Sequence, residues 1–361
     1  MWLLRRYLFL NTCAVNGPLT HLNLSRGFRG GERQTELLIR GLAALGWTQR
    51  LVARRGEPLA DRCRDVPGLS IAEAYGGVPG AFLALRGAGL VHCHEGRGVQ
   101  AAWLNGLVRG APYVITRRVQ KGPTASVLNR RMYRSAAAVV AISEAIRAAL
   151  TRLDARLPVT VIPSAGGSLP VNQPTVEKLR ASFGGDFVAG HVGALDDSHK
   201  GQLQIIGLAR RWRTARPTVR FVLVGAGRDE ARLRLAAAGL DNLHFAGEVA
   251  NVGDYLAAFD LFLYPSRHEG LGSTLIDALV AGLPVVATAV GGIPEIIRDG
   301  ENGVLVRPDE PEALESAVAA FVEDVGLRAR VAAANRLRAQ QFSAATMTSR
   351  YARLYQELTQ P

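Results

Sequence analysis

The segment YPSRHEGLGSTLID, residues 264–277, indicates the fold more clearly than any other stretch of the chain. An apolar strand ends at Tyr264, a turn containing Gly270 and Gly272 follows, and a helix is predicted to begin near Ser273. In parallel α/β sheets, ligands bind beyond the carboxyl ends of the strands, where helix amino termini offer unpaired N–H groups and a positive dipole end. The segment therefore predicts a site for a diphosphate.

Two carboxylates belong to this segment. Glu269 lies just before the predicted helix, and Asp277 lies two turns inside it. Carboxylates so placed can accept hydrogen bonds from hydroxyls at the two ends of one elongated ligand, a sugar at Glu269 and a ribose at Asp277. An acidic pair that merely flanks a structural turn is the alternative.

Around this segment, short apolar runs alternate with helical stretches, a pattern typical of parallel sheets with crossover helices. The length of 361 residues and the apolar content of 48% favour two α/β domains with well-buried cores. The predicted strands of the first domain are 19–24, 49–53, 90–94, 113–116, 138–142 and 159–162. Those of the second domain are 187–192, 220–224, 243–246, 261–264, 284–287 and 303–306.

The domain boundaries follow from composition. We expect an amino-terminal extension at 1–18, a first domain at 19–168, a linker at 169–186, a second domain at 187–341 and a final helix at 342–361 that packs back on the first domain. The linker prediction depends on the Gly- and Pro-rich run from Ser164 to Pro174.

Charge is distributed unevenly along the chain. Residues 1–164 contain 23 Lys and Arg against 9 Asp and Glu, a net +14, whereas residues 165–361 contain 20 against 22, a net −2. A basic domain attracts phosphates or anionic lipid headgroups, although a merely solvated surface is the alternative. Nucleic acid is not favoured, because aromatic residues make up only 6% of the chain and no stacking platform is visible.

Cysteines and apolar runs bear on the cellular location. Cys13, Cys63 and Cys93 form no close-spaced pair, which argues against a disulfide framework and a structural zinc site. Neither an export signal nor a membrane-spanning run is evident. We therefore expect a cytoplasmic protein, with the inner face of the cytoplasmic membrane as a candidate location.

Glu269 and Asp277, with seven residues between them, resemble the E-x7-E signature of retaining family-4 glycosyltransferases. The runs at 278–288, 291–295 and 299–303 resemble the sequence that usually follows that signature in this family. The likeness is strong over about residues 188–310 and looser over 19–162. The resemblance implies the GT-B fold, in which two Rossmann-like, doubly wound domains face each other across a cleft.

The same resemblance implies the reaction and its donor site. We expect transfer of a sugar from a nucleotide-sugar donor with retention of configuration and without a metal or other cofactor. The donor would contact the loop at 270–272, which contains Gly270, Leu271 and Gly272, together with Glu269 and Asp277.

A second donor element is the stretch from Gly193 to Gly201. Lys200 stands where the family places a cation on the donor phosphates, although an ordinary surface lysine is the alternative. Ala194 stands where the family has an arginine, and this departure predicts weaker stabilisation of the leaving diphosphate.

Two elements of the first half also resemble the family. Gly30 and Gly31 follow the first strand and open a helix, as does the family's Gly-Gly loop between donor and acceptor, although they could only cap a turn. His94 ends a strand, as in the family's His-x-His-Glu pattern, and is the expected contact to the donor sugar or reacting centre; a buried structural histidine is the alternative. Strand alternation puts His92 on the same face, packed inside the domain.

No metal site is expected, because His92, His94 and Glu95 lack a further ligand at a diagnostic spacing. Arg117, Arg118 and Lys121 follow a strand and are candidates for binding an anionic acceptor. The cationic helix at 129–134 is a candidate for contact with an anionic membrane, and solvated faces explain both runs equally well.

The sequence leaves the following functions open. A glycosyltransferase of cell-envelope glycan or lipopolysaccharide assembly, acting on a glycan or lipid-linked acceptor, is the leading hypothesis. A catalytically weak nucleotide-sugar-binding subunit that needs a partner remains open because of Ala194. A nucleotide-sugar epimerase of the same fold is disfavoured by the spacing of Glu269 and Asp277.

Overall fold

A computed structural model describes residues 17–167 and 169–359 of the chain. It divides into two units, one containing residues up to Ala165 together with the final helix, the other containing Gly166–Ser343. The predicted extension lies outside the described residues except for Gly17 and Pro18, and Cys13 lies outside them too. Both units are parallel α/β sheets, so the predicted doubly wound α/β fold is confirmed.

The amino-terminal unit contains seven strands and seven helices among its described residues. In chain order they are β1 (Leu19–Asn23), α1 (Gly30–Ala44), β2 (Gln49–Arg54), α2 (Pro58–Arg62), β3 (Leu69–Ala74), α3 (Val78–Ala84), β4 (Leu90–Cys93), α4 (Gly98–Arg109), β5 (Tyr113–Arg117), α5 (Val127–Arg134), β6 (Ala138–Ala141), α6 (Glu144–Leu153), β7 (Val159–Val161) and the chain's final helix, α16 (Ala344–Thr359).

The strands of this unit form one sheet in the order β3-β2-β1-β4-β5-β6-β7. The order reverses between β1 and β4, and such a switch point is where open α/β sheets bind ligands. Leu22 pairs with Cys93 across this point, and both are fully buried, as expected of central parallel strands. The final helix packs into the same core through Met347, Tyr351 and Tyr355.

The carboxyl-terminal unit contains six strands, nine α-helices and one 3₁₀ turn among its described residues. They are α7 (Gln173–Phe183), β8 (Phe187–Val192), α8 (Asp197–Lys200), α9 (Gln202–Ala215), β9 (Val219–Val224), α10 (Glu230–Ala236), β10 (Leu243–Gly247), α11 (Val252–Ala257), β11 (Leu261–Tyr264), α12 (Ser273–Val280), β12 (Val285–Thr288), α13 (Ile293–Ile296), β13 (Val304–Val306), α14 (Pro311–Glu323), α15 (Val325–Ala339) and the 3₁₀ turn Gln340–Phe342.

This sheet has the order β10-β9-β8-β11-β12-β13, with its switch point between β8 and β11. Trp212, Phe221 and Phe321 are among the largest side chains of the core. Gly190 on β8 lies against the ring of Phe259, which a Cβ atom at position 190 would approach to 2.1 Å. The core is therefore packed tightly beside the switch point.

The predicted linker at 169–186 is wrong for most of its length, because α7 occupies it. Asn172 accepts a hydrogen bond from Thr175 N at 3.0 Å and caps the helix, Pro174 lies in its first turn, and Gly184 ends it with φ +64°. Val176 and Phe183 are buried, so tertiary packing stabilises a segment whose composition suggested a loop.

Within the described ranges 17–167 and 169–359, every helix is too short or too polar to span a bilayer.

Candidate functional site

The carboxyl-terminal unit gathers three polar side chains at its switch point. Lys200 Nζ lies 2.5 Å from Glu269 Oε2 and 3.1 Å from the Tyr264 hydroxyl, which in turn donates to Glu269 Oε2 at 2.7 Å. The side chains of Lys200 and Glu269 are only 20% and 15% exposed. The sequence thus predicted two members of one cluster, and the third, Tyr264, is the last residue of β11.

Charge is stabilised in this cluster despite burial. Burial disfavours the ammonium of Lys200, but Tyr264 and the Glu269 carboxylate outweigh it and raise the lysine pKa. Burial likewise disfavours the carboxylate of Glu269. Contacts with Lys200, with the Tyr264 hydroxyl and with the amide of Gly270 outweigh this effect and lower the pKa of Glu269. Burial and the adjacent Glu269 raise the pKa of Tyr264. At neutral pH the cluster therefore holds one cation, one anion and one neutral hydroxyl.

Two glycines allow the loops to hold this cluster. Gly201, directly after Lys200, has φ +68°, and a Cβ atom there would lie 2.1 Å from the carbonyl oxygen of Pro265. Gly272 has φ +100° and forms the amino-terminal boundary of α12. Because glycine tolerates both requirements, the backbone can bring Lys200 against the turn that holds Glu269.

The remaining predicted donor residues lie in the same turn and helix. Gly270 N donates to Glu269 Oε1 at 3.0 Å, so this amide already contacts a carboxylate oxygen. Leu271 is buried. Asp277 is 4% exposed on α12 and accepts a hydrogen bond from Gly167 N at 3.3 Å.

Ala194 lies exposed in the loop after β8. Its carbonyl oxygen accepts hydrogen bonds from Gln202 Nε2 at 2.7 Å and from Asp196 N at 2.8 Å. Arg267, a cation on the loop after β11, donates to Asp197 Oδ2 at 3.2 Å and to Asp309 Oδ1 at 2.9 Å. That guanidinium is thus engaged by two carboxylates.

The amino-terminal unit has a cavity of about 610 Å³ at its own switch point. Its lining includes four predicted site residues: Gly31, His94, Arg117 and Arg118. Gly31 lies in the first turn of α1, where a Cβ atom would stand 3.7 Å from the side chain of Arg118. Lys121 is not among the cavity residues; it is exposed, and its carbonyl oxygen accepts a hydrogen bond from Arg117.

Arg118 is one of five arginines that line this cavity. Its Nη2 lies 3.4 Å from His94 Nδ1, while its buried Nε and Nη1 find no hydrogen-bond partner among the described residues. Burial lowers its pKa, and the nearby Tyr351 and Glu32 partly offset this. A buried cation with unused donors is costly unless a ligand pairs with it.

His94 belongs to a group of three buried histidines. His21 on β1 pairs in register with His92 on β4, and the ring centroids of His92 and His94 lie 3.9 Å apart. His21 Nδ1 lies 2.9 Å from His94 Nε2, and His21 Nε2 lies 2.9 Å from Gln49 Oε1. Burial is the largest cause that lowers the pKa of all three rings, that of His21 to about 4.

His92 is fully buried, as expected of a side chain packed inside the domain. Its Nε2 lies 2.7 Å from Thr116 Oγ1 and its Nδ1 lies 2.5 Å from the hydroxyl of Tyr355. Glu95 accepts hydrogen bonds from Arg97 N and Gly98 N and so caps α4. Both ring nitrogens of His92 and the carboxylate of Glu95 are thus engaged in hydrogen bonds within the unit.

A different set, His21, His92 and His94, does bring one nitrogen each within 4.8 Å of the others. Most of these nitrogens already have hydrogen-bond partners, and a guanidinium lies beside His94. Neither fact favours a bound cation.

In the amino-terminal unit, sequence reasoning missed His21 and Gln49 as site residues. They lie on β1 and β2, far from His94 along the chain, and the parallel register brings them together. A polar His and a polar Gln within two apolar strands were the only available signals.

Comparison with known proteins agrees with this architecture. Anabaena Alr3699/HepE, solved in complex with UDP-glucose, has a TM-score of 0.83 at 20% identity, covering 94% of this chain and 99% of that one. A sucrose-phosphate synthase from Thermosynechococcus elongatus has a TM-score of 0.80 at 19% identity, covering 95% and 99%. At these identities the likeness shows the fold, which is GT-B.

Family models match both units. Residues 186–324 match the model described as glycosyl transferases group 1, and residues 29–165 match the glycosyl transferase 4-like domain. The chain belongs to this family of GT-B glycosyltransferases, as the sequence resemblance implied.

Curated relatives share shorter stretches. The lipopolysaccharide core biosynthesis mannosyltransferase LpsB of Rhizobium meliloti (strain 1021) is 43% identical over 109 residues, 29% of this chain and 30% of the relative. The 2-deoxystreptamine N-acetyl-D-glucosaminyltransferase of Streptomyces fradiae is 32% identical over 276 residues, 68% of this chain and 65% of the relative. The matched regions thus span less than two thirds of either relative.

Proposed function

We propose that the protein transfers a hexose from a nucleotide-sugar donor to an acceptor hydroxyl, with retention of configuration and without a metal or cofactor. The observation that carries the proposal is the Lys200–Glu269–Tyr264 cluster at the switch point, directly before the amino terminus of α12. It offers a fixed cation for phosphate oxygens beside a carboxylate for sugar hydroxyls, which matches the two ends of a sugar diphosphate.

In this proposal, each part of the nucleotide-sugar donor is bound by a particular residue or loop. Lys200 and the backbone of residues 270–272 bind the diphosphate, Glu269 accepts hydrogen bonds from the sugar, and Asp277 accepts one from the ribose. Lys200 exchanges part of its contact with Glu269 for the phosphate. The lysine and the α12 dipole then offset the charge that develops on the leaving diphosphate. The UDP-glucose complex of the Anabaena neighbour makes UDP-glucose the first donor to test.

The amino-terminal unit supplies the acceptor side. His94 and Gly31 contact the donor sugar or the reacting centre, and Arg117, Arg118 and Lys121 bind an anionic group of the acceptor. The unpartnered donors of Arg118 support this assignment. The name of the relative LpsB supports an acceptor of lipopolysaccharide core or another cell-envelope glycan, reached from the cytoplasmic side of an anionic membrane.

The test is a binding screen followed by an activity assay. The purified protein is screened against UDP, GDP, ADP and CMP sugars by thermal shift and saturation-transfer NMR, with and without EDTA. We expect one nucleotide class to bind regardless of EDTA. Glu269→Ala should lower transfer by about 100- to 1000-fold, because a charged hydrogen-bond partner of the sugar is lost, while circular dichroism stays unchanged.

Glu177→Ala is the matched control, because Glu177 is an exposed glutamate on α7. Wild-type turnover by Glu269→Ala would refute the donor site. Loss of binding in EDTA would refute metal independence. A product whose anomeric proton signal shows the configuration opposite to that of the donor would refute retention.

One observation favours a second candidate function, that of a partner-dependent nucleotide-sugar-binding subunit. Ala194 provides no cation for the leaving diphosphate, and Arg267 is engaged by Asp197 and Asp309. This candidate would be supported if the isolated protein binds the donor tightly without transferring or hydrolysing it, and if transfer appears when a partner that co-purifies from the native cell is added.

A further inference from the structure

The buried amide of Gln49 has a defined orientation. Its Nε2 donates to the carbonyl oxygen of Ile39 at 3.0 Å. A carbonyl oxygen can only accept, so the flipped amide would set two oxygens against each other. Oε1 of Gln49 therefore faces His21 Nε2, 2.9 Å away, and His21 Nε2 must carry a proton.

That proton defines the next hydrogen bond. His21 is fully buried and, with its pKa lowered to about 4, carries a single proton at neutral pH. Its Nδ1 is therefore a bare acceptor, 2.9 Å from His94 Nε2. The hydrogen bond consequently runs from His94 to His21, and His94 Nε2 carries the proton.

The direction of this hydrogen bond leaves the other nitrogen of His94 bare. His94 Nδ1 lies 3.4 Å from Arg118 Nη2, a group that can only donate. The hydrogen bonds at the two ends of this series, at Ile39 and at Arg118, thus require the same placement of protons on His21 and His94. Both His94 and Arg118 line the cavity of the amino-terminal unit.

We propose that Gln49 and His21 are positioning residues that fix His94 as the neutral Nε2–H tautomer and present its Nδ1 as a hydrogen-bond acceptor in the cavity. The ligand group that it selects is a hydroxyl, which can donate, and not a carbonyl or carboxylate oxygen; this hydroxyl would replace Arg118 Nη2, which lies 3.4 Å away, on the single lone pair of Nδ1. The identification of that hydroxyl with a donor-sugar hydroxyl rests on the proposed function, whereas the tautomer does not.

A metal ion held by His21, His92 and His94 is the competing arrangement. It would need the lone pair of His21 Nδ1, which now accepts the hydrogen bond from His94, and would abolish that bond. The contacts of His92 with Thr116 and Tyr355 would also have to change.

The tautomer is measured directly by long-range ¹H–¹⁵N correlation NMR of the full-length, ¹⁵N-histidine-labelled protein without ligand. The His94 and His21 signals are assigned from their loss in His94→Gln and His21→Gln. We expect a protonated Nε2 and a bare Nδ1 in both rings at pH 7. A protonated Nδ1 in His94, an imidazolium, or one Zn²⁺ bound per chain with loss of the His21–His94 hydrogen bond would overturn the proposal.

Gln49→Leu tests the positioning role. Without the acceptor, the His21 proton is no longer fixed, and the His94 nitrogens should shift towards values averaged over both tautomers. Donor kcat/KM should fall about tenfold, the cost of one misdirected hydrogen bond. Unchanged His94 signals in a folded Gln49→Leu protein would overturn the role of Gln49.

The matched control is Gln34→Leu, which removes another buried glutamine, one whose amide forms two hydrogen bonds with the backbone of Ala165. It should leave the His94 signals unchanged. If Gln49→Leu does not fold, His21→Gln and the wild-type spectrum decide the same question. The predicted tautomer in a protein that transfers no sugar would refute the proposed function and leave the tautomer assignment intact.

Discussion

Both sheets reverse their strand order beside their first strand, yet different polar groups gather at this point in the two units. The carboxyl-terminal unit holds an ion pair, Lys200 and Glu269, joined by Tyr264. The amino-terminal unit holds neutral rings, His21 and His94, and a cation with unused donors, Arg118. The same backbone plan thus supports a buried ion pair in one unit and neutral rings beside an arginine in the other, because side chains set the chemistry.

The difference predicts that acid destabilises the amino-terminal unit first. Burial lowers the pKa of His21, His92 and His94 there, whereas His191 is the one fully buried histidine in the described part of the other unit, with a pKa of about 4. The unfolded chain binds protons below pH 6.5 and the folded chain does not, so stability is lost as pH falls from 6.5 towards 4. Each histidine contributes about 1.4 kcal/mol per pH unit.

Urea unfolding at pH 7 and pH 5, followed by hydrogen exchange of peptides from each unit, measures this. Glu95, whose pKa is raised by burial, opposes the effect near the acid end of the window. An equal loss of protection in both units between pH 6.5 and 5 would contradict the assignment of the histidines.

A substitution in the final helix offers a second way to distinguish the stabilities of the two units. Tyr355 on α16 is fully buried in the core of the amino-terminal unit, where its ring lies 5.9 Å from that of Trp47. Tyr355→Ala should lower the free energy of unfolding of that unit by about 3–5 kcal/mol, because a large aromatic side chain is removed from a packed core.

Hydrogen exchange and urea unfolding provide the measurement, with Gln356→Ala, an exposed neighbour, as control. Protection of α12 and β11 in the other unit should remain unchanged. A matching loss of protection there would show that the two units do not respond independently.

Much of the fold could be predicted from the sequence because buried parallel strands are continuous apolar runs. The strands 187–192 and 261–264 were predicted with the bounds that the structure shows. β3 (Leu69–Ala74) was not predicted, because its residues are only partly buried and its apolar signal is weak. The helix α7 was missed although its cap, Asn172, and its stop, Gly184, are ordinary signals, because the Gly- and Pro-rich context favoured a loop.

The sites could be predicted to the extent that their residues are local in sequence. Glu269 and Asp277 share one turn and one helix, so their spacing was informative. His21 and Gln49 meet His94 through the register of three strands, and this contact cannot be inferred from spacing along the chain. The hydrogen-bond partners of Lys200 depend likewise on the close approach of Gly201 to Pro265.

The smallest expected effect concerns the cation that the carboxyl-terminal unit lacks. Ala194 is exposed and only its backbone is hydrogen-bonded, so Ala194→Arg can add a side chain without removing a contact. An added guanidinium near the leaving diphosphate should raise kcat by up to about tenfold with little change in donor KM, since the charge develops mainly in the transition state.

The matched control is Ala194→Gln, which has similar length and no charge, and should leave kcat unchanged. Steady-state kinetics with the donor identified in the binding screen measures both. An equal rise in the two variants would assign the effect to side-chain bulk. A fall in Ala194→Arg alone would mean that Lys200 and α12 already balance the leaving-group charge, so that the reaction needs no further cation at position 194.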